Sequence, residues 1–331
     1  CAGDEKGVQH VNTRIIALGS DLGGFDLRIK PDTGELEPAT GVTQHGRNRD
    51  DWGNWVAGNN SFGWQIALED HDIRRNPKVS QPSNKHGING VIDLYPISRV
   101  LSHYSGYKAP PAGSPGKLTS GCGYTFYRDN LFDGIIEPSV YYSCPVHNCI
   151  HREVISWNGV LMNTERASDE ARSEFLRSSD SWFRPAAIRT GPDGAMYVAD
   201  LYRLVIEHPE WIDDTLEKEM IADGRLRAGH DKGRIYKIFP DSVKLHKKAN
   251  LAGKAPQALA KLMDSPNGWQ RDTAHMMLTW LDKEEQKKAI PNLHQVLNSQ
   301  FPAARAQALS AVSYTHLRAH ETREDRGCGG G

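Results

Sequence analysis

The chain has 331 residues, with 40 Lys and Arg against 41 Asp and Glu, so its formal net charge is −1. This balance provides no basic field for nucleic acid, and no run of about 18 apolar residues predicts a membrane-spanning helix. The 31 Gly and 18 Pro indicate many turns, whereas five Cys are too few for a disulfide-dense scaffold.

The first part of the chain, residues 1–245, has the pattern of strands and turns. Hairpins are predicted at 25–37, 153–162 and 186–200, and a further strand at 234–239. In the first hairpin, Pro31 presets φ and Gly34 supplies a positive φ, which together favour a tight turn. Strand–turn–strand units at irregular spacing predict a partial β-propeller built from later blades. A β-sandwich has a similar pattern and remains the alternative.

The second part, residues 250–311, has helical periodicity. Short helices are predicted at 166–177 and 211–222 within the first part, and at 256–263, 269–281, 284–298 and 302–312 in the second. Short helices in antiparallel pairs with brief turns are typical of a HEAT-like α-solenoid. The predicted fold class is therefore mainly β with an α C-terminal part. Only about two helix pairs are present, which indicates a truncated solenoid.

Residues 312–331 differ from the rest of the chain. The string VSYTHLRAHET at 312–322 resembles one reading frame of a sequencing-library adapter, and it is followed by a glycine-rich end. Segments of such origin are excluded from fold reasoning. We therefore expect residues 312–331 to be a disordered artefact tail, and the chain to be a fragment.

Several collinear motifs carry a family resemblance. They are HGRNRDDWGNW at 45–55, TSGCGYTFYRD at 119–129, PVHNCIHREV at 145–154, the stretch at 180–212, RAGHDKGRIYKIFP at 227–240 and DSPNGWQRDTA at 264–274. Together they resemble the planctomycete (PVC-type) membrane-bound dehydrogenase-like proteins, also called haem-binding CxxCH proteins. The resemblance implies a propeller similar to glucose/sorbosone dehydrogenases, then HEAT-like helices, and often a c-type cytochrome domain.

The resemblance implies an exported protein, periplasmic or secreted and membrane-associated, that oxidises a sugar or alcohol. Its cofactor would be pyrroloquinoline quinone with Ca²⁺, and electrons would pass to the cytochrome domain. No CxxCH motif occurs in the chain, so haem is expected only in a domain that the fragment lacks. The alternative is a non-catalytic propeller and HEAT scaffold for carbohydrate or protein partners.

Three residues are candidates for catalysis. His151 titrates near neutral pH and could act as a general base. Arg184 precedes a strand that the resemblance places along the central channel, where a guanidinium could fork onto a carboxylate or carbonyl. Asp200 closes the next strand and could take a proton, or could pair with Arg203 and hold the blade together.

Further polar residues are candidates for binding substrate or cofactor. His147, four residues before His151, has its ring on the same face if both lie on one strand. The other candidates are Arg47, Asn48, Asp51, Asn54, Arg152, Tyr202 and Arg203. A structural role, as histidines bonding loop carbonyls or as a salt-bridged turn, is the alternative for these groups. No metal ligands are assigned.

The cysteines leave two pairings open. Cys122 and Cys144 flank a hairpin-like segment and are candidates for a disulfide in an exported protein. Cys149 is a third thiol, so a bond between Cys144 and Cys149 competes with the first. Without CxxC spacing, a zinc site is not expected.

Overall fold

The computed structural model describes residues 26–30, 34–68, 78, 85–90, 92–111 and 114–324. Within these residues the chain forms antiparallel strands in five small sheets, which do not close into a barrel, and α-helices concentrated at the C-terminal end. The strands are β1 (Asp26–Lys30), β2 (Glu35–Ala39), β3 (Asn48–Arg49), β4 (Trp55–Gly58), β5 (Gly63–Ile66), β6 (Lys85–Gly87), β7 (Asp93–Leu94), β8 (Gly116–Lys117), β9 (Cys122–Phe126), β10 (Ser139–Cys144), β11 (Cys149–Asn158), β12 (Leu161–Arg166), β13 (Leu176–Arg177), β14 (Pro185–Thr190), β15 (Met196–Asp200) and β16 (Arg234–Ile238). The helices are α1 (Asp214–Ala222), α2 (Pro256–Leu262), α3 (Gly268–Thr279), α4 (Lys283–Val296) and α5 (Pro302–Glu324).

Three of the sheets are meanders of consecutive strands. Their orders are β3-β4-β5-β6, β9-β10-β11-β12 and β14-β15-β16, and β13 pairs with β11 beside the middle sheet. The hairpin β1-β2 and the pair β7-β8 form the two smaller sheets. We call the three meanders the first, middle and last sheet.

The middle sheet has apolar side chains on both faces. Tyr142 and Cys144 on one face share a core with Val56 of the first sheet. Tyr141 on the other face shares a core with Ile188 of the last sheet. Successive residues of a strand point to opposite faces, so the strand sequence VYYSC places the middle sheet between its two neighbours.

The first strands of the three sheets, β3, β9 and β14, lie against one another. The side chain of Asn48 in β3 donates to the carbonyl of Tyr124 in β9 at 2.5 Å. Gly123 of β9 has φ of 66°, and a Cβ there would lie 2.9 Å from the carbonyl oxygen of Ala186 in β14. Only glycine tolerates both conditions, so this residue sets the close approach of β9 and β14.

The contacts of β9 show that these first strands run in the same direction. Its start and end contact the start and end of β14, at Cys122–Pro185 and Arg128–Thr190, and its contacts with β3 and the following turn progress in the same order. The stacked sheets therefore have two distinct ends. Helices α2–α5 form a separate apolar core and attach where the first strands finish: the amide of Gly268 donates to the carbonyl of Arg128 at 2.7 Å, just after β9. We call this the helix end. The opposite end, where β9 and β14 begin and where the chain between β15 and β16 lies, we call the loop end.

Most of the predicted elements are confirmed. The three hairpins are β1-β2, β11-β12 and β14-β15, with residues 31–33 of the first turn outside the described residues. The predicted helix at 211–222 is α1, and the four C-terminal helices are α2–α5. Helix α5 continues to Glu324, across Val312, where we predicted the end of the native sequence. Among the described residues, no helix combines the length and apolar character needed to cross a bilayer.

The predicted helix at 166–177 is wrong. The segment forms a short 3-10 helix at Ser168–Glu170 and then strand β13. Leu176 pairs with Ile150 of β11, and Glu174 accepts a hydrogen bond from the amide of Tyr95 at 2.8 Å. These tertiary contacts outweigh the helical spacing of the apolar residues.

Candidate functional site

The loop end brings together five of the predicted residues: His147, Arg184, Asp200, Tyr202 and Arg203. His147 lies in the turn between β10 and β11, and the other four lie at the start of β14 or the end of β15. The side chain of Asn148 joins the two regions, because its amide donates to the carbonyl of Phe183 at 2.6 Å. These predicted residues are therefore neighbours in the fold.

Arg184 is completely buried at the centre of this cluster. Its guanidinium donates to four backbone carbonyls, of Pro145 at 2.9 Å, Leu204 at 2.8 Å, Arg203 at 3.1 Å and Leu101 at 3.5 Å. Burial lowers the pKa of this guanidinium. The predicted fork onto an oxygen is present, but the oxygens are main-chain groups of this chain, so Arg184 fastens loops instead of facing a substrate.

Asp200 and its neighbours hold the same backbone. The Asp200 carboxylate accepts from the amides of Arg184 at 2.7 Å and Tyr202 at 2.8 Å, instead of pairing with the Arg203 side chain. Tyr202 has φ of 49°, and the guanidinium of Arg234 lies 3.4 Å from the centre of its ring. The carboxylate of Asp200 is therefore bonded to nearby backbone amides, whereas the side chain of Tyr202 is partly exposed.

A thiol, an imidazole and a phenol form a chain of polar contacts at the loop end. The Sγ of Cys144 lies 3.1 Å from Nδ1 of His147 and 2.9 Å from the carbonyl oxygen of Thr119, so two acceptors lie within reach of its single proton. The Nε2 of His147 lies 3.1 Å from the hydroxyl of Tyr107. Cys144 and His147 are fully buried, whereas Tyr107 is partly exposed. The chain therefore connects a buried thiol to the surface.

Burial sets the charge states of these groups. It lowers the pKa of His147 to about 4 and raises the pKa of the Cys144 thiol. It also raises the pKa of Tyr107 to about 12. At neutral pH these three side chains are therefore uncharged, and the imidazole of His147 has one nitrogen without a proton.

Strained backbone lies next to the contacting side chains of Cys144, His147 and Tyr107. Ser120 and Asn148 have φ of 54° and 53°, which residues with a Cβ adopt rarely. A Cβ on Gly116 would lie 2.1 Å from Nε2 of His147. The imidazole is therefore held by a turn and a strand that leave it no free space on that side.

His151 lies on β11, away from His147, and has no exposed surface. Its Nδ1 lies 2.5 Å from Glu174, and its Nε2 lies 3.5 Å from Glu153. Burial alone would lower the pKa of His151, but the hydrogen bonds and charges of the two glutamates outweigh it and raise that pKa. Glu174 also pairs with Arg166 at 3.1 Å. His151, the predicted general base, is thus part of a buried ionic cluster between the sheets.

Arg152 lies on the opposite face of β11 from His151. Its Nε donates to Glu170 at 2.8 Å, and it also pairs with Asp169. Arg152 is 3% exposed, and both of its carboxylate partners belong to the segment that joins β12 to β13. This buried, paired position does not favour the predicted role in binding substrate or cofactor.

The remaining predicted residues lie on β3 and its flanking turns. Arg47 precedes β3, donates to the carbonyl of Thr40 at 3.0 Å and lies over the ring of Trp55. Asn54, in the turn after β3, bonds Asp50 at 2.7 Å. This turn lies at the helix end. The eleven predicted residues are therefore not one site. Five lie at the loop end, four lie on β3 or its flanking turns, and His151 and Arg152 lie on opposite faces of β11.

Asp51 belongs to an ionic network at the helix end. Arg128 donates to Asp51 at 2.7 Å and to Asp272 at 2.5 Å, and buried Arg271 also pairs with Asp51. Gln307 of α5 donates to Asp272 at 2.9 Å. These groups join the sheets to helices α3 and α5, which explains the Asp51 position as a docking contact.

The predicted disulfide between Cys122 and Cys144 is not formed. Both are free, buried thiols, as is Cys149. Cys122 lies opposite Ser143 and its Sγ contacts the carbonyl of Pro185 at 3.8 Å, so it faces β14. Cys144 follows Ser143 and faces the other side of the sheet, because successive strand residues alternate.

The predicted residues do not fit a quinone and Ca²⁺ site. Arg184, the expected clamp, has its donors on main-chain carbonyls, and the two carboxylates Asp51 and Asp200 are bonded at opposite ends of the sheets. Within the described ranges, no three His, Cys, Asp or Glu side chains are placed to hold a metal ion.

The sequence did not identify several residues of these clusters. Tyr107 and Glu174 were missed because their partners are distant in sequence. Glu153 was also missed, although it lies two residues after His151 in the motif PVHNCIHREV. Arg271 and Asp272 lie in the motif DSPNGWQRDTA, and Asp51 lies in HGRNRDDWGNW. Both motifs contain arginines and aspartates, and this was the available signal for a contact between the sheets and the helices.

The family described as domain of unknown function DUF7133 matches residues 2–242. That range contains every predicted site residue and β1–β16, whereas α2–α5 lie outside it. No curated protein and no solved structure matches the chain. The geometry of the two ends therefore carries the functional argument.

Proposed function

We propose that this chain, which belongs to the DUF7133 family, is a binding scaffold in which propeller-type blades present a carbohydrate-binding surface at the loop end. HEAT-like helices brace the opposite end of the same blades. One observation carries the proposal: Arg184, the best catalytic candidate, is buried and bonded to four main-chain carbonyls. A residue bonded in this way stabilises a surface and is not free for substrate.

The arrangement of the sheets supports the propeller component. Three consecutive antiparallel meanders stack face to face, and their first strands meet and run in one direction. This is the relation between neighbouring blades around a propeller axis. The two cores on either side of the middle sheet are the corresponding interfaces between blades.

Exposed aromatic side chains at the loop end support the binding component. Tyr104 is 39% exposed and Trp211 is 46% exposed, and their ring centroids are 5.2 Å apart. The backbone bridge from Tyr104 to Ile212 fixes the pair. Aromatic rings combine a large apolar face with little conformational entropy to lose on binding, so this pair offers a platform for sugar rings.

Affinity electrophoresis through gels that contain soluble polysaccharides tests the proposal. We expect one or more neutral polysaccharides to retard the wild-type chain, and Trp211→Ala with Tyr104→Ala to abolish the retardation. Trp157→Ala is the matched control, because Trp157 is 47% exposed and lies on the β11-β12 hairpin, far from the pair. Equal mobility in every gel, or equal loss in the control, would contradict the proposal.

A second candidate is oxidation of a sugar or alcohol, as the resemblance to dehydrogenase-like proteins implies. The observation in its favour is the polar chain from partly exposed Tyr107 through His147, which is able to accept a proton. Dye reduction with a panel of sugars, with and without pyrroloquinoline quinone and Ca²⁺, tests it. Reduction that Tyr107→Phe abolishes would support an enzyme over a scaffold.

A further inference from the structure

Cys144 and Cys149 face each other across the hairpin of β10 and β11. The antiparallel register pairs them directly, on either side of the turn 145–148. Directly opposed residues in antiparallel strands have Cα atoms about 4.5–5.5 Å apart. That range lies inside the separation that a disulfide requires, about 4.4–6.8 Å. Both side chains belong to the same apolar core, so they lie on one face of the sheet.

A base contacts only one of these two thiols. The imidazole of His147 lies 3.1 Å from the Sγ of Cys144. The other imidazole nitrogen bonds Tyr107, which links the pair to the surface through one partly exposed side chain. The third described thiol, Cys122, faces β14 and has the carbonyl of Pro185 as its neighbour. The three thiols are therefore chemically distinct.

We propose that Cys144 and Cys149 form a redox-convertible site, in which hydrogen peroxide oxidises Cys144 and Cys149 resolves the product as a disulfide. In the first step the Cys144 sulfur attacks one peroxide oxygen and the O–O bond breaks. His147 takes the thiol proton and passes it to the departing hydroxide, which leaves as water. Cys144 becomes a sulfenic acid.

In the second step the Cys149 sulfur attacks the Cys144 sulfur, and the S–O bond breaks. The departing hydroxide takes the proton of Cys149 and leaves as a second water. Two thiols thus lose two electrons in total, and one peroxide is reduced to two waters. Because Cys144 is buried and its thiol is protonated at neutral pH, the reaction is slow and depends on His147 as the base.

Peroxide treatment of the folded chain, followed by alkylation and peptide mass mapping, tests this site. We expect one peptide that contains both Cys144 and Cys149 with an internal disulfide, lighter than the reduced peptide by the mass of two hydrogen atoms. Cys122→Ala is the matched control and keeps the cross-link. Cys149→Ala instead leaves a sulfenic acid at Cys144 that dimedone traps.

The kinetics test the role of His147. We expect His147→Gln to slow cross-link formation on the order of a hundredfold, the usual contribution of a general base, while circular dichroism stays unchanged. Tyr107→Phe, which removes one hydroxyl, should accelerate oxidation by loosening the imidazole. If folded wild-type chain keeps both thiols reduced in peroxide, or if Cys122 becomes the partner of either cysteine, the proposal is wrong.

Discussion

At the scale of single residues, buried charged side chains in this protein form hydrogen bonds with main-chain groups. Arg184 supports three loops at once, through carbonyls at residues 101, 145, 203 and 204. Removing a buried charged donor leaves its acceptors without partners, which costs more than the net value of the bonds.

We predict that Arg184→Met lowers the free energy of unfolding by about 3–5 kcal/mol, because four carbonyls lose their donor. Urea denaturation followed by circular dichroism measures the change. Arg189→Met, in the same strand β14 but exposed, should change stability by less than about 0.5 kcal/mol. A wild-type denaturation midpoint in Arg184→Met would show that this guanidinium is free for a ligand.

His147 gives stability a predicted pH dependence. Burial lowers its pKa from 6.5 to about 4, so the unfolded chain binds a proton at a higher pH than the folded chain. The contribution of neutral His147 to the free energy of unfolding is therefore complete above pH 6.5 and is lost as pH falls from 6.5 towards 4. The loss in unfolding free energy amounts to about 3 kcal/mol.

Denaturation at a series of pH values tests this dependence. The difference in unfolding free energy between wild type and His147→Gln should shrink as pH falls through that window. His230→Gln, at an exposed position, is the control for the loss of an imidazole. A constant difference for His147→Gln would contradict the assignment of a buried neutral imidazole.

The residue pattern and the family resemblance supplied candidate site residues, but not the atoms that they would contact. The expected position of Arg184 at a channel mouth followed from the resemblance. The oxygen partners of Arg184 are main-chain groups, which a sequence does not distinguish from a ligand. Glu174, the partner of His151, lies 23 residues away in a segment that we predicted as helix, so this pair could not be found from local spacing.

At the scale of elements, the turn residues were the reliable signals. Asn158-Gly159 and residues 191–194 joined antiparallel strands, as predicted. The error at 166–177 arose because acidic residues there bind arginines of other strands. Local periodicity therefore failed where a segment is held by long-range ion pairs.

We predict that Gly123→Ala destabilises the chain more than Gly134→Ala. Both glycines have positive φ, of 66° and 72°, so both variants incur backbone strain of about 1 kcal/mol. A Cβ at Gly123 also meets the backbone of Ala186 at 2.9 Å, whereas nothing lies within 4 Å of one at Gly134. Thermal melting compares the two.

The expected excess for Gly123→Ala is about 1–3 kcal/mol, the usual cost of forcing an extra carbon into a packed contact. It reports the distance between β9 and β14, and hence the approach of two first strands. Equal melting temperatures for the two variants would mean that these strands are farther apart than the structure places them.

At the scale of the whole molecule, an ionic network determines whether sheets and helices behave as one unit. Arg128 follows β9, Asp51 follows β3, and Asp272 lies on α3. The sequence contained these charges in three separate motifs but gave no register between them, because the contact between Arg128 and Asp272 spans 144 residues. The docking of the helices is therefore a property that only the folded chain shows.

Arg128→Met should separate the unfolding of the two parts. It leaves the carboxylates of Asp51 and Asp272 without their shared cation, at a cost of about 3 kcal/mol. Because the loss falls at the contact between the parts, hydrogen exchange in α3 and α5 should accelerate well before exchange in β10 and β11.

Arg225→Met is the matched control: its pair with Asp223 is about half exposed, so it should cost less than about 1 kcal/mol. If exchange in α3 and β10 accelerates to the same extent in Arg128→Met, the chain unfolds as one cooperative unit. The network would then stabilise the whole fold instead of joining two separately stable parts.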